Sequence, residues 1–260
     1  NKDFKTVEYW DGKFWRQVDN TTTRGRGVFG FMENPAGTDL TTISFVNIQS
    51  LGNAQFFGDL TVGRANGGAC SSETRGLFGG GQVAPAKSDV IDYVAIQSKG
   101  NATDFGNLSA AGRCPASASS STRGLFAGVN ATNVIDYVEI MTTGNALDFG
   151  DLIGSGHKSG ACSSPTRLLY HSGSAGTLCG QIEWVTMAHK GNAVRFGNLT
   201  YAGNGFEGAR QTRATSNQVR GIFAGGYQDN SPYPTVKNIN YVTIASEGNA
   251  LDFGELTTPR

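Results

Sequence analysis

Short apolar runs recur along the chain between stretches of small and polar residues. Four match closely: VIDYVAI (Val90 to Ile96), VIDYVEI (Val134 to Ile140), QIEWVTM (Gln181 to Met187) and NINYVTI (Asn238 to Ile244). A looser TISFVNI precedes them from Thr42. Runs rich in Val, Ile and aromatics suit a pleated, packed surface, and no stretch holds a helical period. Each run is followed by a version of GNALDFG, starting at Gly52, Gly100, Gly144, Gly191 and Gly248, at spacings of 48, 44, 47 and 57. Each is preceded by a small-residue stretch leading into Arg, in most units Arg-Gly, and a second apolar run, such as ACSSETRGLFGGG from Ala69 or ASASSSTRGLFAG from Ala116. The unit thus carries about four strand candidates. Gly-Asn is expected to turn the chain between the third and fourth, because both residues tolerate positive φ.

Four strands at a period near 48 predict propeller blades. The expected fold is all-β, a five-bladed β-propeller over residues 20–260, with blades at about 20–64, 65–113, 114–157, 158–210 and 211–260. Residues 1–19 are expected to form a separate hairpin, since TVEYWDGKFWRQV reads as two strands around an Asp-Gly turn. The residues before Arg26 are expected to supply the first strand of blade 1, and the first and last units to meet and close the ring. Two aromatic slots recur: Phe45, Tyr93, Tyr137, Trp184 and Tyr241 in one, Phe57, Phe105, Phe149, Phe196 and Phe253 in the other. Both are assigned to the core between neighbouring sheets, where one large side chain is worth roughly 2–3 kcal/mol.

Composition sharpens this picture. The 37 glycines fit many tight turns. The 21 basic and 21 acidic side chains cancel, so no broad field draws the chain to nucleic acid or to an anionic membrane surface. No apolar run approaches the ~20 residues of a membrane span. The chain opens Asn-Lys-Asp without a signal peptide and reads as a fragment of something longer. Of the four cysteines, Cys70 and Cys162 share the motif GACSS, where a third unit has Ala118; they read as small buried fillers. Nothing marks Cys114 or Cys179 as a ligand or nucleophile, or pairs Cys162 with Cys179.

The recurring charges read as framework. Arg26, Arg75, Arg123, Arg167 and Arg220 precede the second strand, and Asp104, Asp148 and Asp252 precede the repeated Phe. The arginines are expected to tie blades together, to a carbonyl or to the next blade's Asp. Two G-x-G-x-x-G matches, from Gly25 and Gly203, lack the strand–helix context of a dinucleotide site. His157, His171 and His189 are expected at the surface, without the convergence a metal needs. There is no G-x-S-x-G elbow and no marked carboxylate pair. No enzyme activity, cofactor or metal is expected.

Departures between repeats point to function, because framework must recur and a recognition loop need not. The loop between the second and third strands grows in unit 5 to GGYQDNSPYPTVKN (Gly225 to Asn238) and in unit 1 to FMENPAGTDLT (Phe31 to Thr41). Tyr227, Asp229, Asn230 and Tyr233 are the candidate ligand-binding residues. Aromatic faces stack on sugars, and the prolines between them lower the ordering cost. A second insertion, YAGNGFEGARQT (Tyr201 to Thr212), is expected near the opposite rim or the blade junction, apart from the first.

The unit resembles the kelch class of propeller repeats, with Arg before the first strand (Arg64, Arg113, Arg210), Gly-Gly after the second (Gly79-Gly80, Gly225-Gly226), Tyr in the third and a bulky aromatic in the fourth. More narrowly, STRGLFAGV, NVIDYVEI and TTGNALDFGDL are similar to kelch-like repeats of tail-associated virion proteins of marine tailed bacteriophages, and VEYWDGKFWRQV to a segment preceding them. The resemblance implies an extracellular virion component, partnered by other virion subunits and by a bacterial surface glycan, without nucleic-acid contact or membrane insertion. It implies a non-catalytic module attaching a tail fibre or appendage to the host. The alternatives are a purely architectural decoration or fibre domain, and a polysaccharide-degrading propeller with an acidic pair in a central cleft.

Overall fold

The computed structural model describes residues 7–10, 15–18, 25–34, 36–156, 159–172, 180–200, 209–228 and 234–259. Five antiparallel sheets form a five-bladed β-propeller, as the repeat predicts. Counting strands outward from the axis, blade 2 comprises Gly68–Ser71, Arg75–Gly79, Val90–Ala95 and Thr103–Asn107. Blade 3 comprises Ala116–Ser119, Arg123–Ala127, Val134–Glu139 and Leu147–Asp151. Blade 4 comprises Ala161–Ser163, Arg167–His171, Gln181–Thr186 and Val194–Asn198. Blade 5 comprises Arg213–Ser216, Arg220–Ala224, Asn238–Thr243 and Leu251–Glu255. Blade 1 shows Arg26–Phe29, Thr42–Asn47 and Gln55–Asp59; the residues expected to form its inner strand lie outside the described set. Val7–Trp10 and Trp15–Val18 pair as the expected hairpin, while its Asp-Gly connection is outside the described residues.

The repeated DFG is a β-bulge. Ile91 pairs with Gly106 and Asp92 with Asp104, leaving Phe105 as the extra residue, and all five blades shift register at this point. The bulge turns the Phe into the core: Phe57, Phe105, Phe149 and Phe196 are buried. The adjacent Gly is needed by the neighbour. A β-carbon on Gly58, Gly106, Gly150 or Gly197 would overlap the carbonyl of Gly100, Gly144, Gly191 or Gly248 in the next blade. Through that approach Gly144 N–H donates to Phe105 O (2.8 Å) and Ala146 N–H to Asn107 O (2.8 Å).

The Asn of GNA acts through its side chain. Its backbone is not left-handed, and the hairpin closes just before it, with Thr142 N–H donating to Glu139 O. Asn101, Asn145, Asn192 and Asn249 each accept, through Oδ1, a backbone N–H of the preceding blade (Asp59, Asn107, Asp151 and Asn198) at 3.0–3.1 Å. GNA and DFG are therefore the two halves of one seam.

Further ties repeat at each seam. Nη1 of Arg26, Arg75, Arg123 and Arg167 donates to a carbonyl of the next blade, from Ile96, Ile140, Met187 and Ile244, at 2.8–3.1 Å. Each guanidinium also lies over its own blade's aromatic: Phe45, Tyr93, Tyr137 or Trp184. Near the axis serine hydroxyls stitch inner strands that share no ladder. Ser119 Oγ donates to Ser71 O, Ser163 Oγ to Ser119 O and Ser216 Oγ to Ser163 O, at 2.7–2.8 Å.

The acid or amide inside the third-strand run is a tie that the reading of these runs as apolar passes over. Asp92, Asp136, Glu183 and Asn240 are buried and accept the backbone N–H of Thr61, Ser109, Ile153 and Thr200, just past the preceding blade's fourth strand. Asp104, Asp148 and Asp252, by contrast, are exposed.

Among the described residues, blade 5 lacks towards blade 1 the seam contacts that the other four blades make. Phe253 is 52% exposed, against 2–4% for its four counterparts. Gly254 faces open space, and no hydrogen bond joins Gly52 or Asn53 to blade 5 among the described residues.

Cys70 and Cys162 are fillers matched in size to the residue that faces each from the next blade. A β-carbon on Gly124 of blade 3 would stand 2.7 Å from Cys70 Sγ of blade 2, and one on Gly221 of blade 5 would stand 2.6 Å from Cys162 Sγ of blade 4. Where blade 3 has Ala118 in the Cys slot, blade 4 has Leu168 in the Gly slot, in the same core cluster. Cys162 is a free thiol, and burial pushes both Cys70 and Cys162 up to about 12. Gly124→Leu is expected to overpack the blade 2–3 seam and cost about 2–3 kcal/mol, and Cys70→Ala in the same chain to restore at least half of it. A double-mutant cycle of urea unfolding measures this; additive effects would show that the two positions do not share a space.

Candidate functional site

The strand directions place several variable elements at one end of the propeller. In blades 2 to 5 the second strand ends, and the inner strand begins, at the same rim. The fourth strand, antiparallel to the third, also ends there. Loops between second and third strands and connections between blades therefore emerge together. This corrects the expected separation of the two insertions. Ala209–Arg210, from the connection into blade 5, pairs with Tyr227–Gln228 of the blade 5 loop, Arg210 opposite Tyr227. Blade 2 repeats the device, with a Gln82–Val83 and Ala86–Lys87 hairpin and a bridge from Gln82 to Ala65 of the incoming connection.

At the centre of this rim lies a cavity of about 380 Å³, walled by the starts of the inner strands of blades 2 to 5. Its described lining is small and polar, with Arg213 its one charged side chain. Three equivalent lining residues, Asn66, Cys114 and Gln211, hold left-handed backbone at φ 58°, 58° and 59°. Asn tolerates that region, whereas Cys and Gln are strained in it. Cys114 N–H donates to Asn66 O (2.6 Å), linking two of the three.

Buried polar groups fix the rim from below. Arg64 is fully buried: Nη1 meets Asp92 Oδ2 at 2.8 Å, Nε donates to Gly80 O and Nη2 to Phe78 O. It pins the connection from blade 1 against the loop of blade 2. In blade 3 the counterpart Arg113 reaches instead across to Gln82 Oε1 (2.9 Å), leaving its Nε and Asp136 Oδ1 buried without a partner. Burial raises the Asp136 carboxyl above the usual range, against the lowering effect of two bonds from Ser109. Burial likewise raises Glu183, which accepts from Ile153 and Gln181.

Of the proposed ligand residues, Tyr227 stands on this rim, 39% exposed and bridged to Thr235. Asp229, Asn230 and Tyr233 lie outside the described residues. The left-handed trio is absent from the sequence reading, its only signal there being its position two residues ahead of each inner strand. The G-x-G-x-x-G at Gly25 runs into the strand Arg26–Phe29 with no helix after it; that at Gly203 is outside the described residues, as are His157, Cys179 and the Arg210 side chain. Among the described residues no cluster of His, Cys, Asp and Glu is suited to a metal, and no helix is long and apolar enough to cross a membrane. No family model matches the chain, and no curated protein matches it at a significant level.

His189 is exposed as expected, but His171 is not. It closes the second strand of blade 4, fully buried against the Phe223 ring, with Nδ1 2.9 Å from Thr212 Oγ1. The imidazole fills a slot that holds Gly79, Ala127 or Ala224 in other blades. Burial pushes it down to about 3 from 6.5. His171 therefore adds stability that is present above pH 6.5 and is lost as pH falls through that value towards 3. The stability gap between wild type and His171→Gln is expected to shrink by about 1.4 kcal/mol per unit as pH drops below about 6. Asp136 and Glu183 are common to both proteins and cancel. Urea unfolding at several pH values measures the gap; a constant gap would mean that the folded imidazole titrates normally.

Proposed function

We propose that the chain is a non-catalytic binding module of a phage virion that attaches to a bacterial surface glycan through the loop rim. One observation carries the reading: the two insertions that break the repeat meet in a single β-pairing, Arg210 opposite Tyr227, beside the axial cavity. The repeated arginines and bulged Phe residues of blades 1 to 4 are engaged in seams, and the rim is where this chain differs from its own repeat. A small, polar mouth open to solvent, with Tyr227 on the same rim, suits sugar hydroxyls and C–H faces. The cavity wall offers no described carboxylate pair for the polysaccharide-degrading alternative, which would need two at about 5–10 Å. A second reading, an architectural virion domain, draws on the uncovered apolar faces of blades 1 and 5.

Combined Tyr227→Ala, Asp229→Ala and Tyr233→Ala is expected to weaken binding to host cells or arrayed surface polysaccharide by about thirtyfold or more, with an unchanged melting temperature. Binding as strong as wild type from a folded triple variant would remove the loop from the site.

A further inference from the structure

We infer that the ring of Trp184 and the carboxylate of Glu247, at the seam of blades 4 and 5, form a surface site for an external organic cation, an ammonium or guanidinium group. The site lies on the rim opposite the loops, where third strands turn into fourth strands, so it stands apart from the glycan reading. Two seams inside the molecule show what such a site holds. Lys99 of blade 2 lies over Phe45 of blade 1, its Nζ 4.7 Å from the ring centre, and Lys190 of blade 4 lies over Tyr137 of blade 3 at 4.9 Å. The same two rings also carry the guanidinium of their own blade, Arg26 or Arg123, so one ring in this slot accepts two cations. Under their lysines Phe45 and Tyr137 are only 8% and 9% exposed.

At the seam of blades 4 and 5 the lysine slot holds Glu247 instead. The backbone places it alike. Gly100, Gly191 and Gly248, which follow Lys99, Lys190 and Glu247, each donate their N–H to the bulged Phe carbonyl of the preceding blade at 2.9–3.0 Å. Trp184 keeps its own Arg167, at 3.9 Å, but among the described residues no second cation lies over it, and it stays half-buried. Trp is the strongest cation acceptor among the aromatic side chains. Glu247 is exposed, and among the described residues no cation pairs with it. Its carboxylate offsets the charge of Arg167 when a second cation arrives. The seam of blades 2 and 3 marks the difference: Thr143 fills the lysine slot there and Tyr93 stays half-buried, with a hydroxyl in place of the carboxylate. Blade 5 thus sets an opposite charge beside a partly open ring, in the place where blades 2 and 4 bring a cation of their own.

The indole N–H of Trp184, which has no hydrogen-bond partner, reads the site in a proton–nitrogen NMR spectrum of the whole chain, with Trp184→Phe assigning the signal. Tetramethylammonium chloride is expected to shift it saturably, where sodium chloride at the same concentration does not. Glu247→Gln is expected to weaken that binding about threefold. Glu247→Lys, at an exposed position, is expected to abolish it, because the chain's own cation then takes the place that Lys99 and Lys190 take elsewhere; the remaining signals check that the fold is kept. Oligomers of lysine and of glucosamine, titrated in parallel, tell a protein partner from an amine-bearing glycan, and a shift of the Trp184 signal by either supports the site. A Trp184 signal that does not move with tetramethylammonium, that moves equally with sodium chloride, or that still shifts in Glu247→Lys overturns the proposal.

Discussion

Two backbones approach so closely at every seam that neither can carry a side chain there. The bulged strand of one blade presents Gly58, Gly106, Gly150 or Gly197, and the next blade lays the carbonyl of its GNA glycine against it. Sheets of four short strands cannot bury both faces alone, so the blades are stable only as neighbours. The glycine contact sets their distance, and the asparagine fixes the offset by capping a backbone N–H on the neighbour. Once distance and offset are set, the Phe lands in the core, the Arg reaches a carbonyl and the serines meet near the axis. Any β-carbon at this glycine would hold the blades apart and loosen all of these contacts together.

The polar interior has its origin in the same geometry. Each connection between blades leaves an N–H just past its fourth strand outside any ladder, and a hydrogen bond to it is worth about 0.5–1.5 kcal/mol net. The third-strand acid or amide of the next blade satisfies it, and only blade 2 adds a full ion pair, Arg64 with Asp92, among the described residues. In blade 3 the arginine has turned to the rim, where Gln82 holds it. The repeat has thus exchanged an internal charge balance for a link between two rim loops, leaving one oxygen of Asp136 unsatisfied. Variation at the rim reaches down into the framework here.

Much of the architecture is legible because repetition exposes it. Four strands per unit, the buried Phe of the fourth strand in blades 1 to 4, filler cysteines and arginines bound to carbonyls emerge from comparing the units with one another, whereas Tyr93, Trp184 and Tyr241, expected in the core, are only half-buried and Phe253 is exposed. Residues whose role depends on the neighbouring blade are harder to read. Gly-Asn looks like a turn in one unit, and its side-chain role needs the preceding strand alongside. An acid within VIDYV looks like an interruption until the connection it caps is in place; its presence in both Asp92 and Asp136, with Glu183 and Asn240 in the same slot, is the available signal. The side on which Tyr201 to Thr212 emerges depends on strand parity, since a fourth strand returns to the rim where the first begins. His171, expected at the surface, is buried because the imidazole enters a slot that other units fill with Gly or Ala. Of the site, Tyr227 is readable from loop chemistry, while the left-handed trio around the cavity depends on backbone angles that residue types do not reveal.

The size matching of Cys70 with Gly124, Ala118 with Leu168 and Cys162 with Gly221 has a consequence for how such a chain finds its fold. Tandem units of near-identical sequence invite misassembly, in which one unit docks on the wrong neighbour during folding. Here a skipped neighbour is penalised. Blade 4 laid on blade 2 would drive Leu168 into Cys70, and blade 5 laid on blade 3 would leave Gly221 opposite Ala118 with a void between them. The alternation works as a parity code, accepting the Gly units after a Cys unit and the Leu unit after the Ala unit. The parity of the blades is thus written into the volume of their side chains.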